Sequence, residues 1–181
     1  MRAFVAVAPP EAWIGPLVRA QGLVPGGRKV APDDLHVTLA FLDEQPEERL
    51  EALHELLEAR ALPGATLRPM GYAAFGSPRL RAVVLDLAPD PGLAALRESV
   101  RGCCRAAGIK LGRERFRPHV TLVRFSGSAP ADAARLPGAL ARIGAPDLEP
   151  AAVGAATLWR SRLTPDGPFY DALASYPLRA A

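Results

Sequence analysis

The chain has 181 residues, 49% of them apolar, enough to bury one core and ordinary for a soluble globular protein. Twenty-two basic residues against 19 acidic ones leave a net charge of +3, too little for electrostatic capture of duplex DNA but compatible with a short phosphate-bearing ligand. Met1 to Val7 lacks the apolar stretch of a secretory signal, no run approaches the roughly eighteen apolar residues of a membrane span, and the adjacent Cys103 and Cys104 suit neither a disulfide nor a zinc site, so a soluble cytoplasmic protein with inert buried thiols is expected.

Phe4, Val5 and Val7 mark a short apolar strand that ends at Pro9-Pro10. Trp13, Leu17 and Val18 fit one helical stripe, which Gly15-Pro16 weakens, and Pro25-Gly26-Gly27 is a loop. Leu35 to Phe41 reads as a strand, and after Pro46 a helix from about Glu47 to Ala61 carries Leu50, Leu53, Leu56 and Leu57 on one face. Met70 to Val84 holds Gly71, Gly76, Ser77 and Pro78 between strand-like pieces, a hairpin or an open loop.

The order then recurs. Ala82 to Leu87 reads as a strand, Pro91 opens a helix with Leu93, Leu96, Val100 and Cys103 or Cys104 inward, and a second strand begins at His119. Ser126 to Pro130 is a loop, Ala131 to Ile143 a helix interrupted by Pro137-Gly138, Val153 to Trp159 a strand, and Pro165-Asp166-Gly167 the turn of a closing hairpin. Strand-helix-strand-helix twice over implies one domain, 1–181, of two pseudo-symmetric lobes, with repeat units of about 1–80 and 81–181 whose strands can be exchanged between lobes. Mixed helices and hairpins make the class α+β, with antiparallel pairing, rather than a doubly wound parallel sheet.

Each repeat carries the same tetrapeptide, His36-Val37-Thr38-Leu39 and His119-Val120-Thr121-Leu122. In a strand, alternate side chains share a face, so an imidazole and a hydroxyl stand together while the Val and Leu turn to the core. The chain has three histidines, and two of them have a threonine two residues on, which is a poor match to histidines that merely cap strand ends. The third, His54, lies beside Glu51 and Glu55 in a helix and reads as a solvated position. If the two strands meet across a pseudo-dyad, two imidazoles and two hydroxyls converge. Opening a cyclic phosphate needs a base for the attacking water and an acid for the departing oxygen, and imidazole serves both near neutral pH. Hydroxyl and guanidinium donors can hold the non-bridging oxygens, and no metal or cofactor is demanded.

Arg113, Arg115 and Arg117, if extended, lie on the side of His119; they either steer a polyanion or decorate a solvated edge strand. Only Lys29 and Lys110 are lysines, a bias that GC-rich coding accounts for without invoking a ligand. Arg124 follows His119 by five residues, as Phe41 follows His36. Phe41 is either a core residue or an exposed base-stacking surface.

Arg2 to Val7, Leu35 to Leu42, Phe116 to Arg124 and Ser161 to Tyr170 together resemble the two-histidine phosphoesterase superfamily, within it the RNA 2',3'-cyclic phosphodiesterases formerly called 2'-5' RNA ligases. The resemblance implies a bilobal α+β fold with two antiparallel sheets flanking a cleft. It implies that His36 is the proton donor and His119 the proton acceptor, with Thr38, Thr121 and Arg124 on the phosphate and Phe41 against the terminal base. It further implies a 2'-phosphomonoester product, reverse 2'-5' joining of RNA, RNA ends as partners, and action as a monomer. The residues alone do not order the two histidines. Two other functions fit the same sequence: a phosphodiesterase for small cyclic nucleotides or 2'-5' oligonucleotides, and a binding module that holds RNA ends without turning them over.

Overall fold

The structure, a computed structural model, describes residues 1–76, 78–113, 115–126, 130–165 and 167–180. Two four-stranded antiparallel sheets and four α-helices form an α+β fold. The first sheet has the order β10 (Gly167–Pro177), β9 (Ala155–Thr164), β1 (Arg2–Val7), β3 (Val37–Glu44). The second has the order β2 (Arg28–Lys29), β7 (His119–Arg124), β6 (Ala82–Leu87), β5 (Pro69–Phe75). Each sheet therefore takes strands from both halves of the chain. A small pair, β4 (Ala65–Leu67) with β8 (Ala151–Val153), lies apart.

The interior strands are the most apolar. Phe4, Val5, Ala6 and Val7 of β1 are buried, as are all six residues of β6, in keeping with strands covered on both faces. The strands that carry the repeated tetrapeptide sit outward of them: β3 is an edge, and β7 is flanked on its far side only by the two-residue β2, paired at Val123 and Arg124. Strands β3 and β7 approach each other between the sheets.

Helix α1 (Glu11–Leu23) runs unbroken through Gly15-Pro16. Pro16 forfeits one hydrogen bond, but burial of Trp13, Leu17 and Ala20 and a bond from the Trp13 indole to the Glu149 carbonyl, 3.0 Å, hold the helix in place. Val18 is exposed, and the buried stripe runs instead to Gln21, whose amide donates to the carbonyls of Val30 and Leu122. Helix α2 (Glu47–Glu58) stops three residues before Ala61, with Leu56 at its exposed margin. Its His54 is half-buried rather than solvated, with Nδ1 3.0 Å from the Tyr176 hydroxyl. In α3 (Pro91–Ala106) the Asp90 carboxylate caps the Leu93 amide, and both cysteines are buried. Helix α4 (Pro130–Ile143) continues through Pro137, burying Leu136 and Ala139.

Strand β3 extends past Phe41 to Glu44, Gly154 divides the expected strand from Val153 into β8 and β9, and 115–118 joins no ladder, so no edge strand aligns the three arginines. The β5–β6 connection turns at Gly76, where φ is +111° and a Cβ would strike the Arg79 carbonyl. The β9–β10 hairpin pairs Thr164 with Gly167. Ser77, Glu114, Asp166 and residues 127–129, which fall in the expected hairpins, arginine run and loop, lie outside the described residues. Among the described residues no helix is long and apolar enough to cross a membrane.

Candidate active site

The two tetrapeptides are built alike. His36 precedes β3 and its Nδ1 lies 2.6 Å from the Asp34 carbonyl; His119 opens β7 and its Nδ1 lies 2.7 Å from the Arg117 carbonyl. A carbonyl only accepts, so Nδ1–H donates in both rings and each Nε2 is left to exchange a proton with a ligand.

Both strands also break register at the same place. Pairing runs from Ala6–Thr38 to Val5–Ala40 and from Val84–Thr121 to Val83–Val123, so Leu39 and Leu122 are each an extra residue in the ladder. A bulge reverses the alternation beyond it. Residues five positions after each histidine, which regular pleating would turn away, thereby return to the histidine's side. Phe41 is 55% exposed, which decides against a core role, and Arg124 is half-buried beside His36.

Two cavities meet at Phe41 and Asp43. One, of about 290 Å³, is lined by His36, Arg124, Phe4 and Tyr170; the other, of about 480 Å³, by His119, Thr38, Phe75 and a group of arginines. The sites of the two halves thus share Phe41 and Asp43 as a common wall, and Arg124, from the strand of His119, lines the His36 side. Thr121 is half-buried on β7 and lines neither cavity. Asp43 holds a left-handed φ of 56°, uncommon for a residue with a Cβ, at a second irregularity of β3.

The electrostatics of the halves differ. Burial pushes the His36 imidazole down to about 4, against the pull of its bond to the Asp34 carbonyl, and Arg124 and His119 add to the lowering. Its ring lies 4.8 Å from Phe4 and 5.6 Å, edge-on, from Tyr170, an apolar setting for a cation. His119 is also lowered by burial, and Arg117 and Arg124 act the same way, but its bond to the Arg117 carbonyl and the Asp86 carboxylate oppose the shift. Asp86 pairs with His119 in the β6–β7 ladder and grips Arg117 through two bonds, 2.7 and 3.2 Å. Arg117 in turn lies over Phe75, which contacts the His119 ring.

Asp86, Phe75, Tyr170, Arg97 and Arg101 were not picked out from the sequence as site residues. The available signal for Asp86 was a single carboxylate inside an apolar strand. Of the arginine run, Arg115 and Arg117 line the larger cavity and Arg113 does not. Among the described residues no three His, Cys, Asp or Glu side chains gather as a metal site.

A sequence profile described as the 2'-5' RNA ligase superfamily matches residues 8–164. The chain is 37% identical to a Thermus thermophilus protein named RNA 2',3'-cyclic phosphodiesterase, covering 99% of this chain and 91% of the relative. Among solved structures it resembles TT0787 of Thermus thermophilus, with a TM-score of 0.79 at 31% identity, and Escherichia coli LigT complexed with 3'-AMP, with a TM-score of 0.75 at 27% identity; each match covers 99% of this chain and 98% of the other.

Proposed function

The chain belongs to the 2'-5' RNA ligase superfamily, and on that footing we propose that it is an RNA 2',3'-cyclic phosphodiesterase that opens a cyclic phosphate RNA end to a 2'-phosphomonoester. The observation that carries the reading is the pair of imidazoles, each fixed by an Nδ1–H bond to a backbone carbonyl, at two adjoining cavities with Arg124 acting on both rings.

In this reaction a water oxygen attacks phosphorus while His119 Nε2 takes its proton. The bond from phosphorus to O3' breaks, and His36 Nε2–H protonates the departing oxygen. The pair ends with its proton on the other ring, and exchange with solvent resets it. Arg124 and the Thr38 hydroxyl, which line the two cavities, meet the charge that grows on the non-bridging oxygens, and Phe41 stacks against the terminal base. Asp86 supports this order of roles, since a carboxylate beside one ring favours its taking a proton. The reverse reaction would join RNA through a 2'-5' linkage. The protein acts as a cytoplasmic monomer on RNA ends and needs no metal.

An oligonucleotide with a 2',3'-cyclic end, incubated with the protein in excess chelator, should yield a 2'-phosphomonoester. A 3'-phosphate product, or activity abolished by the chelator, would overturn the mechanism. Retention of near-full activity by His36→Ala or His119→Ala would do the same.

A further inference from the structure

The larger cavity is wider than the chemistry at His119 requires, and its outer wall is arginine. Arg97 and Arg101 come from α3, Arg115 and Arg117 from the segment before β7, and among the described residues Asp43 is the only carboxylate of the lining. On a chain whose net charge is only +3, this concentrates positive potential at one end of the cleft.

The wall is organised. Arg101 donates to the Gly112 carbonyl, 2.9 Å, tying α3 to the segment that carries Arg115. The Arg97 guanidinium lies 4.6 Å from the centroid of the Phe116 ring, and Arg117 lies 4.1 Å from that of Phe75. Arg117 is held by Asp86, and the half-buried Arg97 and Arg101 and the exposed Arg115 line the same cavity. Guanidinium groups alternating with aromatic faces are what a single-stranded nucleic acid uses, its phosphates against the one and its bases against the other.

We infer that Arg97, Arg101 and Arg115 form a subsite for the phosphodiester immediately upstream of the cyclic end, making the protein selective for oligonucleotides over mononucleotides. The inference rests on the phosphodiesterase reading above. With the terminal base on Phe41, at the junction of the cavities, the 5' side of the terminal ribose leads into the arginine-walled half. The other half holds Arg124 and Arg2 beside the aromatic surroundings of His36 and offers less room, about 290 against 480 Å³.

The test compares kcat/KM for a mononucleotide 2',3'-cyclic phosphate, a cyclic-ended dinucleotide, and the same dinucleotide with an uncharged methylphosphonate upstream linkage. One charge-assisted contact predicts a rise of about tenfold from mononucleotide to dinucleotide, lost with the methylphosphonate. In Arg115→Gln and Arg97→Gln most of the dinucleotide advantage should disappear, and the salt dependence of kcat/KM should become shallower by about 0.7 in log–log slope. Arg179→Gln, remote from the cleft, should keep the advantage. Equal rates for the phosphodiester and methylphosphonate substrates, or an undiminished advantage in both variants, would refute the subsite. Failure of the wild-type protein to open any of the three substrates would instead overturn the phosphodiesterase reading itself.

Discussion

Asp86 faces His119 across the β6–β7 ladder, and no carboxylate occupies the corresponding place beside His36. Carrying the Val7–Val37 register one residue further sets Ala8 there. A nearly two-fold site is thus made unequal by one side chain, which supports the proton-bearing form of His119 directly and also fixes Arg117, whose carbonyl orients that ring.

Asp86→Asn should therefore lower the His119 pKa further and reduce kcat/KM by about tenfold, a loss of roughly 1.4 kcal/mol in transition-state stabilisation. The loss should be smaller on the acid side of the profile than on the alkaline side, because a base of lower pKa stays neutral to lower pH. Arg117→Met should act differently: it strands a carboxylate that is 8% exposed, so stability should fall by about 2 kcal/mol or more. Asp86→Asn, which leaves only the half-exposed arginine without its partner, should cost less. Chemical denaturation of the two variants beside the pH–rate profile of Asp86→Asn separates these effects. Equal destabilisation, or an Asp86→Asn profile superimposable on the wild type, would contradict the assignment.

Much of the fold was legible because hydrophobic period and turn residues agree locally. The helices after Pro46 and Pro91, β6, apolar but for Asp86, and the strands of the two tetrapeptides fall where their patterns place them. The continuity of α1 and α4 was not legible, because each contains a proline whose local penalty is outweighed by burial of residues around it. For the site, strand alternation explains why His36 and Thr38 share a face, but it would send Phe41 and Arg124 to the opposite side. The bulges at Leu39 and Leu122 reverse that outcome, and nothing in a Leu between Thr and Ala or Val announces a bulge. Asp86 was hidden for another reason: its partner Arg117 is brought to it only by tertiary pairing.

Phe41, exposed where an aromatic ring gains little from the core, should contribute to substrate binding. Phe41→Ala should raise KM for a cyclic-ended RNA by about tenfold, in line with loss of one base-stacking contact, and change folding stability by no more than about 1 kcal/mol. Phe41→Trp should restore the lower KM. A large fall in melting temperature with unchanged KM would make it a packing residue instead.

The pH dependence follows from the two lowered imidazoles. Activity needs one proton on the pair, with His36 charged and His119 neutral. Free His36 loses its proton at about 4, and His119 loses its own below the usual histidine value. Rising pH therefore removes the acid and falling pH removes the base. kcat/KM, which reports the unbound enzyme, should peak on the acid side of about 6.5 and fall by up to about tenfold per pH unit above the peak. A bound anionic phosphate favours imidazolium, so kcat should hold to higher pH than kcat/KM does. Coincident profiles peaking above neutrality would show that burial does not control these groups.

The order of acid and base can be read from the leaving atom. Departure of O3' as an alkoxide requires a proton, whereas a sulfur in that position leaves as a stable thiolate and needs little help. His36→Ala should therefore lose about a thousandfold in kcat on the ordinary cyclic phosphate and recover most of it on a substrate with sulfur in place of O3'. His119→Ala should be impaired on both, because its water still has to be deprotonated. Rescue of His119→Ala and not of His36→Ala would exchange the two roles, and with them the meaning of the carboxylate opposite His119.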